Sequence, residues 1–193
     1  MIITLGFIGI CILIFGLIQL DKSKEKAYLA IRYGAFYMPK IETQKEYWRF
    51  ISANFVHAEI AHLFMNCYGI YYLGGTFFEP YLGSAAYLYL IAVAGIMSHV
   101  VTYVYTYYHR QYENVVTLGA SGIFYGFLGA IVTLGLVYQG PFLLLLKQFA
   151  LVIIINVAYT LFNKNISKTG HLGGFLGGVV ATLILIMAKI CVY

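Results

Sequence analysis

Six stretches of this chain, at about residues 1–20, 55–78, 84–106, 118–138, 142–162 and 171–191, run almost without a charged side chain. A helix that crosses a bilayer needs roughly 20 mainly apolar residues, and each stretch is about that long. Membrane-spanning strands are shorter and alternate in polarity, which these runs do not, so helices are expected. The whole chain is 62% hydrophobic and 10% charged, far from the roughly 25% charge of an ordinary soluble domain. The expectation is an all-α membrane protein, a six-transmembrane-helix bundle forming a single domain over residues 1–193. The first run has no Lys or Arg ahead of its apolar residues and no small-x-small cleavage site, so it is read as a helix and not as a removable signal peptide.

The net charge of +5 does not point to nucleic acid, because the basic residues lie almost entirely between the apolar runs, where they flank headgroups. The longest polar interval, about 21–54, carries Lys22, Lys24, Lys26, Arg32, Lys40, Lys45 and Arg49 but also Tyr28, Ile31, Tyr33, Phe36, Tyr37, Met38 and Trp48. Such a mixture predicts a folded loop lying against the membrane surface. Tyr103, Tyr105, Tyr107, Tyr108 and Tyr112 crowd a run end, as interfacial aromatic belts do. Cys11, Cys67 and Cys191 are odd in number and scattered over three runs, so neither a disulfide framework nor a paired-cysteine metal site is indicated.

Polar side chains inside a bilayer are costly and need a reason. His57, His62 and Asn66 fall in the second run, Ser121 and Tyr125 in the fourth, and His171 in the sixth. Even-numbered helices cross in one direction, and all these residues lie in the first part of their helix. Five of them are therefore expected at one depth, with Tyr125 one turn deeper. Ser121 stands in Gly119-Ala120-Ser121-Gly122 at a helix start. That position also suits an ordinary helix cap. Here the glycines leave the hydroxyl accessible, and the helix start offers N–H groups to a developing negative charge. Tyr125, four residues on and about 40° around the helix, lies beneath the serine.

His171 stands in Gly170-His171-Leu172-Gly173-Gly174. Gly174 with Gly178, and Gly122 with Gly126, form two small-residue pairs of the kind that lets membrane helices approach closely. If those faces meet, Ser121 and His171 come within hydrogen-bond reach as nucleophile and general base. His62 and Asn66, four apart, share a face and can serve an oxyanion. Helix–helix hydrogen bonding is the plainer account of that pair. His57, roughly 140° from His62 on a helix, is expected to meet a different neighbour and to be structural. No acid completes a triad, so a Ser/His dyad is expected, its imidazole oriented by packing on Tyr125.

Over roughly residues 47–178 these elements resemble the rhomboid family of intramembrane proteases, in its compact six-helix prokaryotic form. Trp48-Arg49 resembles the family's WR motif, His62-Leu63-Phe64-Met65-Asn66 its HxxxN motif, Gly119-Ala120-Ser121-Gly122 its GxSG motif, and Gly170 to Gly174 its GHxxG element. The resemblance implies a rhomboid-like bundle in which Ser121 and His171 are catalytic. His62, Asn66 and the Ser121 N–H would bind the oxyanion, with Tyr125, Gly119, Gly122 and Gly174 in support. It implies hydrolysis of peptide bonds in or near the transmembrane segments of single-span membrane proteins, small residues at the scissile bond, a lateral gate at the fifth helix, and no cofactor. The partners are then those substrates and the lipid bilayer. Phe77-Phe78 before Glu79 departs from the bacterial pattern, which leaves open whether Glu79 anchors the first loop.

A non-proteolytic rhomboid-like protein that binds membrane clients is the alternative, although such relatives generally lack the catalytic Ser or His. A proton-relaying transporter would show repeat-related halves, and none is visible. A metalloprotease is disfavoured because residues 57–62 read HAEIAH and not HExxH. On location, two lines of reasoning conflict. Basic residues concentrate in the connections after the first, third and fifth runs, which would put the Ser121 end in the cytoplasm. The family resemblance implies a cell membrane protein with both termini cytoplasmic and the site opening outward, and that orientation is preferred.

Overall fold

The computed structural model describes residues 1–163 and 166–190. Cys191, the last residue of the sixth expected run, and Lys164 lie outside them. Among the described residues the secondary structure is helical without a strand. In chain order it comprises α1 (Ile2–Leu20), three short helices α2 (Lys26–Arg32), α3 (Met38–Gln44) and α4 (Arg49–Ser52), a 3₁₀ turn (Ala53–Phe55), α5 (Ile60–Gly69), a π-helical stretch (Ile70–Phe78), α6 (Glu79–Tyr108), a second 3₁₀ turn (Arg110–Tyr112), α7 (Ser121–Tyr138), α8 (Gly140–Phe162) and α9 (Lys168–Met187). Among the described residues five stretches are long and apolar enough to cross a membrane, the longest being Ile60–Tyr108. The expected break after residue 78 is not a loop: helical turns run on through Glu79 and are interrupted at Gly83, whose φ of 74° and ψ of 160° are open to glycine and strained for other residues. The chain doubles back there. The Tyr87 hydroxyl sits against Gly74, 13 residues earlier, which in a straight helix would lie about 20 Å away.

At the centre of the bundle is α7, with twelve of its 18 residues buried. Against it and α6 packs α9, whose glycines form two stripes. Side chains added at Gly174 and Gly178 would run into the backbone of Gly122 and Gly126 on α7. Those added at Gly173 and Gly177 would meet Met97, Ser98 and Ala94 on α6. The expected meeting of the two glycine pairs is therefore present, and a second stripe wedges the same helix against α6. Close backbone contact of this kind replaces the hydrophobic driving force that lipid removes. By contrast, α8 buries only Phe142 and Thr160 of its 23 residues.

The first loop is folded, as its composition suggests. Arg49 is its hub: the guanidinium is buried, donates to the carbonyls of Ile31 and Ala35 at 2.7 Å, pairs with Glu46, and lies 4.6 Å from the Trp48 ring centroid. The loop also grips the segment leading into α7. Phe36 and Thr117 exchange two backbone hydrogen bonds, and the Gly119 N–H donates to the Ala53 carbonyl at 2.9 Å. Glu79 does not hold this loop. Its carboxylate accepts from the backbone N–H groups of Ile3 and Thr4 and from the Thr4 hydroxyl, so it anchors the start of α1, where a helix leaves its N–H groups unpaired. Cys11 is buried and Cys67 partly so, and both are free thiols.

Candidate active site

Ser121 is the first residue of α7, directly after the N-cap Ala120, which has no side chain able to cap the helix. Its Oγ lies 2.9 Å from Nε2 of His171, fifty residues on in the chain. The pair forms because Gly122 and Gly174 let the two helix backbones nearly touch. His171 sits one turn inside α9, which begins three residues earlier and is capped by Ser167 Oγ accepting from the Gly170 N–H at 3.1 Å. The Tyr125 ring stacks on the imidazole with centroids 4.0 Å apart and planes 16° from parallel. From α6, Ser98 closes on Gly122, and Thr102 meets Thr169 across a 3.1 Å hydrogen bond. Ser121 itself is only half-buried, so its hydroxyl can be reached.

Across from the pair, α5 brings in His62 and Asn66. Gly119 has φ of +106°, a left-handed conformation that disfavours any residue with a Cβ. A side chain there would also strike the His62 ring and approach the Asn66 amide. Both side chains thus lean over the backbone just before Ser121, a place from which such groups can donate to a developing anion. His57 departs from the expectation that it meets a different neighbour. Its Nε2 accepts from the Asn66 amide at 2.9 Å, and its ring stands edge-on to His62 at 5.1 Å. The Ala120 N–H points at the same Nε2 from 3.4 Å. The reason is local: α5 begins at Ile60, so residues 56–59 are not helical and a helical angle between His57 and His62 has no meaning.

Thr160 was not singled out from the sequence. Its hydroxyl, on α8, lies 2.8 Å from Nδ1 of His171 and also meets the Tyr125 hydroxyl, which donates to the Asn156 carbonyl at 2.7 Å. A threonine alone in an apolar run carries no signal of its own.

Residues 44–188 match the family model of the Rhomboid domain. The chain is 30% identical to the Bacillus subtilis rhomboid protease GluP over 187 residues, covering 96% of this chain and 35% of that protein. It is 29% identical to the Bacillus subtilis protein YdcA over 148 residues, 75% of this chain and 70% of that one. It is 28% identical to RHOMBOID-like protein 6, mitochondrial, of Arabidopsis thaliana over 158 residues, 80% of this chain and 48% of that one. The chain thus spans about a third of the length of GluP and about half that of the plant relative. The glycine-packed helix pair, the apolar spans and a domain match covering most of the sequence agree: this multi-pass membrane protein belongs to the rhomboid family.

Proposed function

We propose that the chain is an intramembrane serine endopeptidase, acting by a Ser121/His171 dyad on single-span membrane proteins. The observation that carries this reading is the 2.9 Å contact between Ser121 Oγ and His171 Nε2 beneath a stacked Tyr125. In the proposed reaction Ser121 Oγ attacks the scissile carbonyl carbon while His171 Nε2 takes the hydroxyl proton. The carbonyl oxygen becomes an anion held by His62, Asn66 and the Ser121 N–H. Collapse breaks the C–N bond, with His171 returning the proton to the departing amine. Water, activated by the same imidazole, then hydrolyses the acyl-enzyme and restores Ser121. No cofactor enters these steps.

The two limbs that meet at Gly83 are read as separate crossings, giving six spans within one domain over residues 1–193. The sparse packing of α8 supports a role as the lateral entry for a substrate helix. The cell membrane, with the site opening outward, is the proposed location.

Incubating the purified protein in detergent with tagged single-span segments tests the reading, together with labelling by a fluorophosphonate probe for activated serines. Cleavage and labelling that both vanish in Ser121→Ala are the expected result. Binding of the segments without cleavage or labelling would favour the client-binding alternative.

A further inference from the structure

We infer that Thr160 is a positioning residue that fixes the protonation pattern of His171, through a directed chain of hydrogen bonds ending on the backbone of α8. This rests on the protease reading for its consequence, though not for its geometry. The chain runs His171 Nδ1, Thr160 Oγ1, Tyr125 Oη, Asn156 carbonyl. Its last member can only accept. The single phenolic proton of Tyr125 is therefore spent on the Asn156 oxygen, 2.7 Å away. The contact between Thr160 and Tyr125 must then use the threonine proton, because two oxygens in hydrogen-bond contact with no proton between them repel. Thr160 has one proton. Having given it to Tyr125, it faces His171 as an acceptor, and across the 2.8 Å contact Nδ1 must carry the hydrogen.

A neutral imidazole with its proton on Nδ1 leaves Nε2 as a lone pair, and Nε2 is the atom aimed at Ser121. The chain thus selects the tautomer in which His171 accepts the serine proton, the orienting task that an aspartate performs in a triad. No carboxylate is needed, because the directionality comes from a peptide carbonyl. The device also ties the base to α8. With Phe142 and Thr160 its only buried residues, the seating of that helix and the state of His171 are linked through one hydroxyl.

The test uses the full chain in detergent with a tagged transmembrane segment as substrate. Thr160→Val keeps the shape and removes the hydroxyl, and it is expected to lower kcat by about 10- to 100-fold, the range seen when a metal-bound histidine loses the partner that orients it, with KM little changed. Thr160→Ser is expected to recover most of the loss. Nitrogen-15 spectra of labelled histidine, taken where the rings are neutral, are expected to show His171 protonated on Nδ1 in the wild type and a mixture of tautomers in Thr160→Val. If Thr160→Val melts well below wild type, Tyr125→Phe replaces it, since it keeps the ring and removes the hydroxyl that takes the threonine proton. It too must lower kcat. A wild-type kcat in these variants, or a wild-type His171 protonated on Nε2, overturns the inference. The spectra need no cleavage, so a wild-type protein that cuts nothing would sink the protease reading while still reporting on the chain.

Discussion

Gly178 lies so close to Gly126 that a methyl group on it would overlap the carbonyl of its partner, and one turn earlier Gly174 stands in the same relation to Gly122. The contact between Ser121 and His171 hangs from this pair of approaches, since Ser121 directly precedes Gly122 and His171 stands one turn before Gly174.

Gly174→Ala is therefore expected to push α9 from α7 and to break the 2.9 Å contact above it. A loss of about 1–3 kcal/mol in stability, typical of overpacking, should accompany loss of cleavage. Gly16 on α1 has open space where a side chain would go, and Gly16→Ala, inside a helix, should leave stability unchanged or raise it by up to about 1 kcal/mol. Unfolding in detergent and cleavage of a tagged segment measure both. If Gly174→Ala cuts at the wild-type rate, close helix approach does not hold the dyad together.

Ser121→Ala and His171→Ala should each abolish proteolysis while leaving a folded protein, and the double variant should be no worse than either. Residues serving one nucleophilic step lose their effect together. Turnover of a model substrate by the three variants measures this, with melting curves to establish folding. Substantial activity in Ser121→Ala would remove the serine mechanism.

How far the site could be read in advance depended on where its partners lay. Ser121 and His171 were legible because each sits beside a small-residue pair, and such pairs specify which helix faces meet. His62, Asn66 and Tyr125 followed from helical spacing alone. The neighbours of His57 were not legible, because α5 begins only at Ile60 and the helical angle between His57 and His62 does not apply. Thr160 was invisible because its meaning lies wholly in the nitrogen it faces. In the same way, the 21–54 interval announced a folded loop. Nothing in its composition told that Phe36 would pair with Thr117 and brace the approach to Ser121.

Asn66→Ala should lower kcat more than it raises KM, because its amide is assigned to charge that develops only in the transition state. Loss of one such donor costs about 10²–10³ in rate. His62→Ala should act in the same sense and less strongly where the two share the anion. His57 accepts from the Asn66 amide, so His57→Ala should produce a smaller fall in kcat by loosening that side chain. Steady-state kinetics on one substrate order the three. Unchanged kcat in both Asn66→Ala and His62→Ala would refute the oxyanion assignment.

Orientation sets the sequence's charge pattern against its family. The connections that share a side with the Ser121 end hold Lys22, Lys24, Lys26, Arg32, Lys40, Lys45, Arg49, Arg110, Lys164 and Lys168, while only Lys147 and Lys189 belong to the other side. Taken by count, the positive-inside rule turns the Ser121 end toward the cytoplasm. Yet that rule describes short connections with free charges, and the main contributor here is a folded surface loop. Arg49 is buried in it and paired with Glu46, Arg110 is bridged to Glu42 at 2.8 Å, and Arg32 to Asp21 at 3.4 Å. The buried Arg49 is committed to holding the loop together, and the exposed Arg110 and Arg32 each have a carboxylate beside them that partly offsets their charge, which weakens their vote on topology. The expected arrangement has the C-terminus in the cytoplasm and Ser121 opening outward. A C-terminal fusion to a reporter that functions only in the cytoplasm should be active, and the matching fusion to one that functions only after export should be silent. The opposite pair of results would turn the protein over.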